Sequence, residues 1–338
     1  MLRAMDSAVA GLRSHQNKMD VVGHNIANVN TFGFKAQTYT FKEAMYQTST
    51  ASTGGATGAG GATAGGTNAA QYGYGTLMGS IGMDMTASTP SYVGGFNASI
   101  DGEGFFITSP ERKTTVGDLK TANFNYTRVG QFMVDSNGYI VDANKNFIYG
   151  YRVNEDGEID KTAGLQALRL PNEITVTTTT DNTQNPPVTT TTTEVEIDDS
   201  EKPLLSTGIE INAMGVITAT LQVPEMDNTA NPPVEKLVSR TIEIGQLALA
   251  TFQNPNGLTK AGGSYYTTNG NDNAGQVAAG TPGDAGIATL MTGYIEASNV
   301  DLAKEFADMI TTHRGFQANS KMITVSDEML SDLVSMKR

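Results

Sequence analysis

The two ends of the chain carry matching seven-residue hydrophobic patterns, and no other feature limits its possible folds so strongly. At the N-terminus Met5, Leu12, Met19 and Ile26 fall seven apart, with Leu2, Val9, Gln16 and Gly23 on the companion position. At the C-terminus Leu302, Met309, Phe316, Ile323 and Leu330 repeat the spacing beside Phe306, His313, Ser320, Asp327 and Val334. Alternating steps of three and four put each set on one narrow seam, as in helices that pack against other helices. Neither end could bury such a seam alone, and the middle of the chain, rich in β-branched residues and glycine, offers no further helix of this kind.

The seam positions Gln16, Gly23, Ser320 and Asp327 are small or polar and would weaken an isolated two-stranded coil. They suit a crowded bundle in which several copies of the helices touch. The first helix is predicted from about Leu2 to Val29, ended by the turn formers Asn28, Asn30, Thr31 and Gly33. The last is predicted to start at Ser298, with Asp301 completing a capping spacing, and to run to the C-terminus. A helix of roughly 55 Å cannot stand alone, so it must lie against a partner.

Between the ends the sequence reads as strands and turns. Thr38 to Tyr46 reads as a short strand or helical turn, and Thr48 to Gly75 is almost wholly Ser, Thr, Ala, Gly and Asn. Such a composition buries too little apolar surface to offset its ordering entropy, which predicts a flexible connector over 37–75. From Gly75 to about Tyr151 the runs Phe105 to Thr108, Tyr126 to Arg128, Phe132 to Val134 and Tyr139 to Val141 predict antiparallel strands, with a hairpin at Asn137-Gly138.

Two later stretches resemble each other: Asp181 to Val188 reads DNTQNPPV and Asp227 to Val234 reads DNTANPPV. Each is flanked by β-branched runs, Ile174 to Thr180 with Val188 to Ile197, and Val216 to Val223 with Val234 to Ile244. Paired prolines cannot join a ladder, which places both motifs at hairpin tips. Leu247 to Phe252 and Tyr265 to Thr268 return as strands, and Asn269 to Gly286 reads as a loop.

The fold class that follows is mixed: long N- and C-terminal helices forming an inner coiled-coil layer, with one or two antiparallel β-domains outside. The expected division is 1–36 with 296–338 as the terminal helical domain, 37–75 as the connector, 76–151 with 245–295 as the β-domain, and 152–244 as a hairpin insertion or small outer β-domain.

Charge and composition then exclude whole classes of function. With 35 acidic against 22 basic residues the net charge is -13, so the phosphate-neutralising term of nucleic-acid binding is missing, as is attraction to anionic membranes. The absence of Cys removes disulfides, thiolate metal sites and cysteine nucleophiles together. No apolar run reaches the roughly 20 residues of a membrane span, and Arg3, Asp6, Arg13 and His15 interrupt any secretory apolar region. The expectation is a protein without membrane insertion, either cytoplasmic or exported without a cleaved signal.

No catalytic, cofactor or metal constellation is expected. Of the three histidines, His15 and His24 lie about 180° apart around a helix and cannot share one metal or proton, while His313 sits on the seam. Asp101 and Glu103 alternate with glycines ahead of an aromatic run, which is turn chemistry. Asp135-Ser-Asn137-Gly138 has its glycine in the wrong place for a calcium loop and lacks the closing Glu. The glycine-rich connector has Thr63 where a dinucleotide fingerprint after Gly58 and Gly60 needs a third glycine.

Ala27-Asn28-Val29-Asn30-Thr31-Phe32-Gly33-Phe34-Lys35, following the amphipathic first helix, resembles the Ala-Asn-x-x-Thr-x-Gly-Phe-Lys signature of the bacterial flagellar axial proteins of rod and hook. Glu296-Ala297-Ser298-Asn299-Val300-Asp301-Leu302, the Arg314-Gly315-Phe316-Gln317 run, Asp101 to Phe106 and Phe252 to Leu258 resemble the same family, in order along the chain. The resemblance implies a structural subunit, not an enzyme, with Ala27, Asn28, Thr31, Gly33, Phe34, Lys35, Ser298, Asn299 and Asp301 as family motif. Its seam residues Leu2, Met5, Val9, Leu12, Met19, Ile26, Leu302, Phe306, Met309, Phe316, Ile323, Leu330 and Val334 would serve assembly.

Within that family the resemblance implies a hook subunit, polymerising helically into a hollow flexible tube that transmits torque from rod to filament. The Asn-Val-Asp-Leu and Arg-Gly-Phe-Gln runs and the insertion from Arg152 to Ile244 favour the hook, whereas the long connector favours the distal rod. The implied partners are further copies of the chain, the rod, hook-cap and hook-filament junction proteins and the flagellar type III export apparatus, in the extracellular flagellum. A secreted adhesin or hydrolase using the Thr-rich hairpins is the reading from another class.

Overall fold

A computed structural model describes every residue except 1, 56, 59–60, 63–64, 114–118, 121, 155–156, 182–187, 197–201, 205, 228–233, 270, 285 and 337–338. It contains two long helices, α1 (Leu2–Ala27) and α2 (Leu302–Met336), with antiparallel strands between them. The chain divides into two compact units, one of residues 1–30, 35–84 and 299–338 and one of residues 31–34 and 85–298. The fold is therefore mixed α and β.

In the first unit α1 and α2 pack antiparallel. Gly11 lies against Asn319, His15 against Gly315, and Asn25 bonds Glu305, so residue numbers rise on one helix as they fall on the other. α2 starts one turn later than the capping pattern predicts. Asp301, not Ser298, is the N-cap: its Oδ1 accepts from the amides of Ala303 at 2.9 Å and Lys304 at 3.3 Å. A carboxylate at that position meets two orphan amides and the helix dipole together, whereas the Ser298 carbonyl accepts from Ser88 Oγ at 2.9 Å.

The residues expected as a connector form paired strands in the structure. Gln37–Glu43 runs antiparallel to Thr76–Met83, and Tyr46–Thr50 to Ala70–Gly73. Local chain closure and backbone pairing hold this ribbon where side chains are too small to do so. It is fastened along α1: Asn25 exchanges two hydrogen bonds with the backbone of Gln37, Ser14 Oγ donates to Thr76 O at 3.0 Å, and the Arg3 guanidinium lies 5.6 Å from the Tyr72 ring centre.

In the second unit a sheet of 13 strands runs through Ser206–Ile211, Val216–Asp227, Val234–Leu247, Phe147–Arg152, Phe105–Ser109, Asn125–Thr127, Tyr265–Thr267 and Thr259–Gly262 in spatial order. Its core includes Phe106, Phe132, Ile148, Leu168, Ile217, Ile244 and Leu249, all almost fully buried. Aromatic rings lock the centre edge to face, Phe106 on Phe132 at 5.2 Å and Tyr126 on Phe252 at 4.8 Å. The turn at Asn137-Gly138 joins Phe132–Val134 to Ile140–Asp142, with Gly138 at φ 80°.

Both expected long hairpins are present as strand pairs, Glu173–Asp181 with Val188–Glu196 and Val216–Asp227 with Val234–Leu247. Their repeated tips at 182–187 and 228–233 lie outside the described residues. The second pair belongs to the large sheet, while the first is a separate two-stranded sheet. The stretch Asn269 to Gly286, expected as a loop, contains a strand, Val277–Gly280, paired with Leu249–Phe252. Its small residues carry no alternating apolar pattern, so the backbone pairing has no mark in the sequence.

Candidate assembly helices and chain crossings

The seam between α1 and α2 is built mainly from small and polar side chains. A Cβ on Gly11 would stand 2.6 Å from Asn319 Nδ2, and one on Gly315 would stand 2.6 Å from His15 Cε1, so each glycine receives a side chain from the opposite helix. Around them Ala8, Ser14, Val21, Val22 and Asn25 are buried on α1, and Glu305, Thr312 and Ser326 on α2. Lys18 Nζ reaches Asp308 at 3.1 Å and Asn25 Nδ2 donates to Glu305 Oε1 at 3.0 Å. Burial raises the Glu305 pKa, partly offset by the Asn25 hydrogen bond.

This arrangement sorts the residues of the heptad pattern. Met5, Leu12, Met19 and Ile26 on α1, and Met309, Phe316, Ile323 and Leu330 on α2, are half-buried. Val9, Leu302, Phe306 and Val334 are exposed, Val334 to 71%. The side chain of Leu2 lies outside the described set. A further exposed apolar stripe escaped the heptad reading: Met322, Val325, Met329, Leu333 and Met336, at steps of three and four along one side of α2. The signal was present in the same spacing, but the frame through Ile323 and Leu330 absorbed it.

The motif after α1 ends the helix and leads the chain onward. Ala27 is its last residue, and Asn28 Nδ2 donates back to the His24 carbonyl at 2.9 Å, meeting one of the orphan carbonyls of the last turn. The Thr31 carbonyl accepts from Phe34 N at 3.3 Å. Gly33 has φ 65°, and a Cβ there would meet Val129 Cγ2 at 2.7 Å, so a side chain is excluded twice over. Phe34 is buried with Lys260 Nζ 4.5 Å from its ring centre, and Lys35 is fully buried.

The chain passes between the units at 30–31, 34–35, 84–85 and 298–299. Each unit fastens its own side of these crossings with one side chain. In the first, Asn299 Oδ1 accepts from Ala36 N at 2.7 Å while its Nδ2 donates to Asp84 O at 2.8 Å. In the second, Glu296 accepts from Ser88 N at 3.0 Å and from Arg128 Nε at 2.6 Å through its carboxylate, and from Gly33 N at 2.8 Å through its carbonyl. Arg128 and Glu296 are 2% and 1% exposed, and the arginine also donates to Gly102 O at 2.7 Å.

Among the described residues no group of three or more His, Asp or Glu could hold a metal, and no helix is long and apolar enough to cross a membrane. The two terminal helices meet through small and polar residues and leave several large apolar side chains exposed. Comparison with known proteins gives the class, that of flagellar structural proteins. The family described as flagella basal body rod protein matches residues 5–35, and that described as flagellar basal body rod FlgEFG protein C-terminal matches residues 291–336.

The chain is 34% identical to flagellar basal-body rod protein FlgG of Bacillus subtilis over 339 aligned residues, covering all of both chains. It is 27% identical to flagellar hook protein FlgE of Borreliella burgdorferi over 458 aligned residues, and 27% identical to the rod protein FlgG of that organism over 343, again covering all of each chain. The chain belongs to the family of flagellar rod and hook proteins.

Proposed function

We propose that the chain is a non-enzymatic structural subunit of the bacterial flagellar hook, polymerising helically into a hollow, flexible tube that carries torque from rod to filament. The observation that carries this reading is the pairing of α1 and α2 through Gly11, His15, Gly315 and Asn319 while Phe306, Ile310, Met329 and Leu333 stay exposed. An apolar surface of that extent on a subunit of a self-assembling family is an interface awaiting copies of itself. The helix pairs of many copies would form an inner coiled-coil layer, with β-domains outside them.

The partners that go with this reading are the rod, the hook-cap and hook-filament junction proteins, and the type III export apparatus that delivers the chain to the extracellular flagellum without signal cleavage. The sequence of the first hairpin, rich in Thr and poor in large apolar residues, would let outer domains slide as the tube bends.

A second reading, a distal rod subunit, is favoured by one observation: the alignment with the Bacillus rod protein runs the whole of both chains over 339 residues, whereas that with the Borreliella hook protein stretches to 458. Electron microscopy of polymer grown from the purified chain separates the two. Curved, supercoiled tubes support the hook, straight tubes support the rod, and a chain that remains monomeric at high concentration contradicts both.

A further inference from the structure

The second unit contains a cavity of about 980 Å³ beside the Asn137-Gly138 turn, within the roughly 300–1,000 Å³ of small-molecule sites. Its walls are fastened to one another. Leu170 N donates to Gly138 O at 2.8 Å and Leu204 N to Pro171 O at 3.0 Å, while Pro203 Cβ lies 2.6 Å from where a Cβ on Gly138 would stand.

Two of the lining side chains are aromatic. Tyr139 is buried and Phe147 half-buried, and their rings pack edge to face with centres 5.2 Å apart. Tyr139 faces Arg169 across a single antiparallel bridge, which brings that guanidinium carbon to 5.2 Å from the tyrosine ring centre. Arg112 comes to 5.8 Å from the same centre, and its Nη1 donates to the tyrosine hydroxyl at 2.8 Å. Arg169 is 1% exposed and held in place, with Nε donating to the Asn137 carbonyl at 2.9 Å and Nη1 to Asn172 Oδ1 at 3.2 Å.

Charge sets this cavity apart from the rest of the molecule. Among the described lining residues Arg112, Arg169 and Lys202 stand against one acid, Asp135, in a chain whose net charge is -13. Asp135 is engaged by its own turn, accepting from Ser136 N at 2.7 Å and from Asn137 Nδ2 at 3.3 Å. The buried charge of Arg169 is screened little by salt, while Arg112 and Lys202 are exposed and able to reach a ligand. Guanidinium groups bind carboxylates through paired, charge-assisted hydrogen bonds. A bare inorganic anion would leave the rings unused, and a neutral aromatic molecule would leave the cations unused. We propose that this cavity binds an organic carboxylate, with the carboxylate at Arg112 and Lys202 and a flat apolar body against Tyr139 and Phe147. The site is independent of the polymerising role.

Benzoate, its neutral isostere benzamide and inorganic phosphate probe charge and ring separately, by ligand-observed NMR on the full-length, unpolymerised chain. Benzoate should bind saturably and about tenfold more tightly than benzamide or phosphate, the loss expected when a hydrogen bond to a charged group is removed. Arg112→Gln with Lys202→Gln, both at exposed positions, should lower benzoate binding to the benzamide level with an unchanged circular dichroism spectrum. Equal binding of benzoate and benzamide, equally tight binding of phosphate, no saturable binding, or benzoate binding that survives the double substitution overturns the assignment. The wild-type comparison decides even where the double variant fails to fold. A free acid and a glutamate beside a phenylalanine in a peptide offer the same chemistry. Displacement of benzoate by a lower concentration of acetyl-Phe-Glu-amide assigns the peptide source, and displacement only at a higher concentration, or none, assigns the free acid.

Discussion

The imidazole of His15 occupies the space that a side chain at Gly315 would need: a Cβ there would lie 2.6 Å from its Cε1 and 2.8 Å from its Nε2. The helix pair is thus as close as it is because one helix offers a gap where the other offers a ring. Gly315→Leu would force the helices apart in a packed seam, at a cost of about 1–3 kcal/mol. The expected result is a lower thermal midpoint for loss of helical circular dichroism, with the β signal of the second unit retained to higher temperature.

His15 also makes the pair sensitive to pH. Burial, and next the charge of Lys18, hold its pKa below the ordinary value of 6.5, and its Nδ1 is buried without a hydrogen bond. The unfolded chain therefore takes up this proton at higher pH than the folded one. The stability this group contributes is complete above about pH 6.5 and is lost as pH falls from there through the lower folded value. Helix-pair stability measured by urea unfolding should decline over that window, and His15→Gln should flatten the decline.

Asn299 binds Ala36 N and Asp84 O with the two ends of one amide. Asn299→Ala would leave both backbone groups without their partner, at about 1–3 kcal/mol for each that stays buried. Asn299→Asp keeps the acceptor for Ala36 N and loses the donor to Asp84 O, so it should fall between wild type and alanine. Amide hydrogen exchange at Ala36 reads this directly: fast in the alanine variant, slow in the aspartate variant.

The Arg128–Glu296 pair is almost wholly buried, so removing one partner strands the other charge. Arg128→Met should destabilise the second unit by about 3–5 kcal/mol, whereas Arg128→Met with Glu296→Gln should recover part of the loss. Chemical denaturation of the two variants, followed by tyrosine fluorescence, supplies the comparison.

The sequence makes the helices readable and conceals how they meet. The steps of seven among Met309, Phe316, Ile323 and Leu330, all half-buried, mark α2 as a helix with one partly covered side, because large apolar residues declare their period. The closest approach, however, belongs to Gly11 with Asn319 and Gly315 with His15, whose role depends on what stands opposite and leaves no periodic trace. The same reason hid the ribbon: Thr48 and Thr50 pair with Gln71 and Ala70 through their backbones, and composition alone describes such residues as unstructured. The turn at Asn137-Gly138 was legible because a positive φ demands a particular residue. The clamps at Glu296 and Asn299 were marked only as motif letters, since their partners are backbone groups distant in sequence.

The central claim is that the terminal helices are the elements through which the chain builds its polymer. Its most direct test compares the full chain with a chain lacking residues 300–338, using sedimentation and electron microscopy under the same polymerising conditions. The account predicts tubes from the full chain, and from the shortened one a soluble species with retained β circular dichroism and no tubes. Tubes of normal diameter from the shortened chain would contradict it.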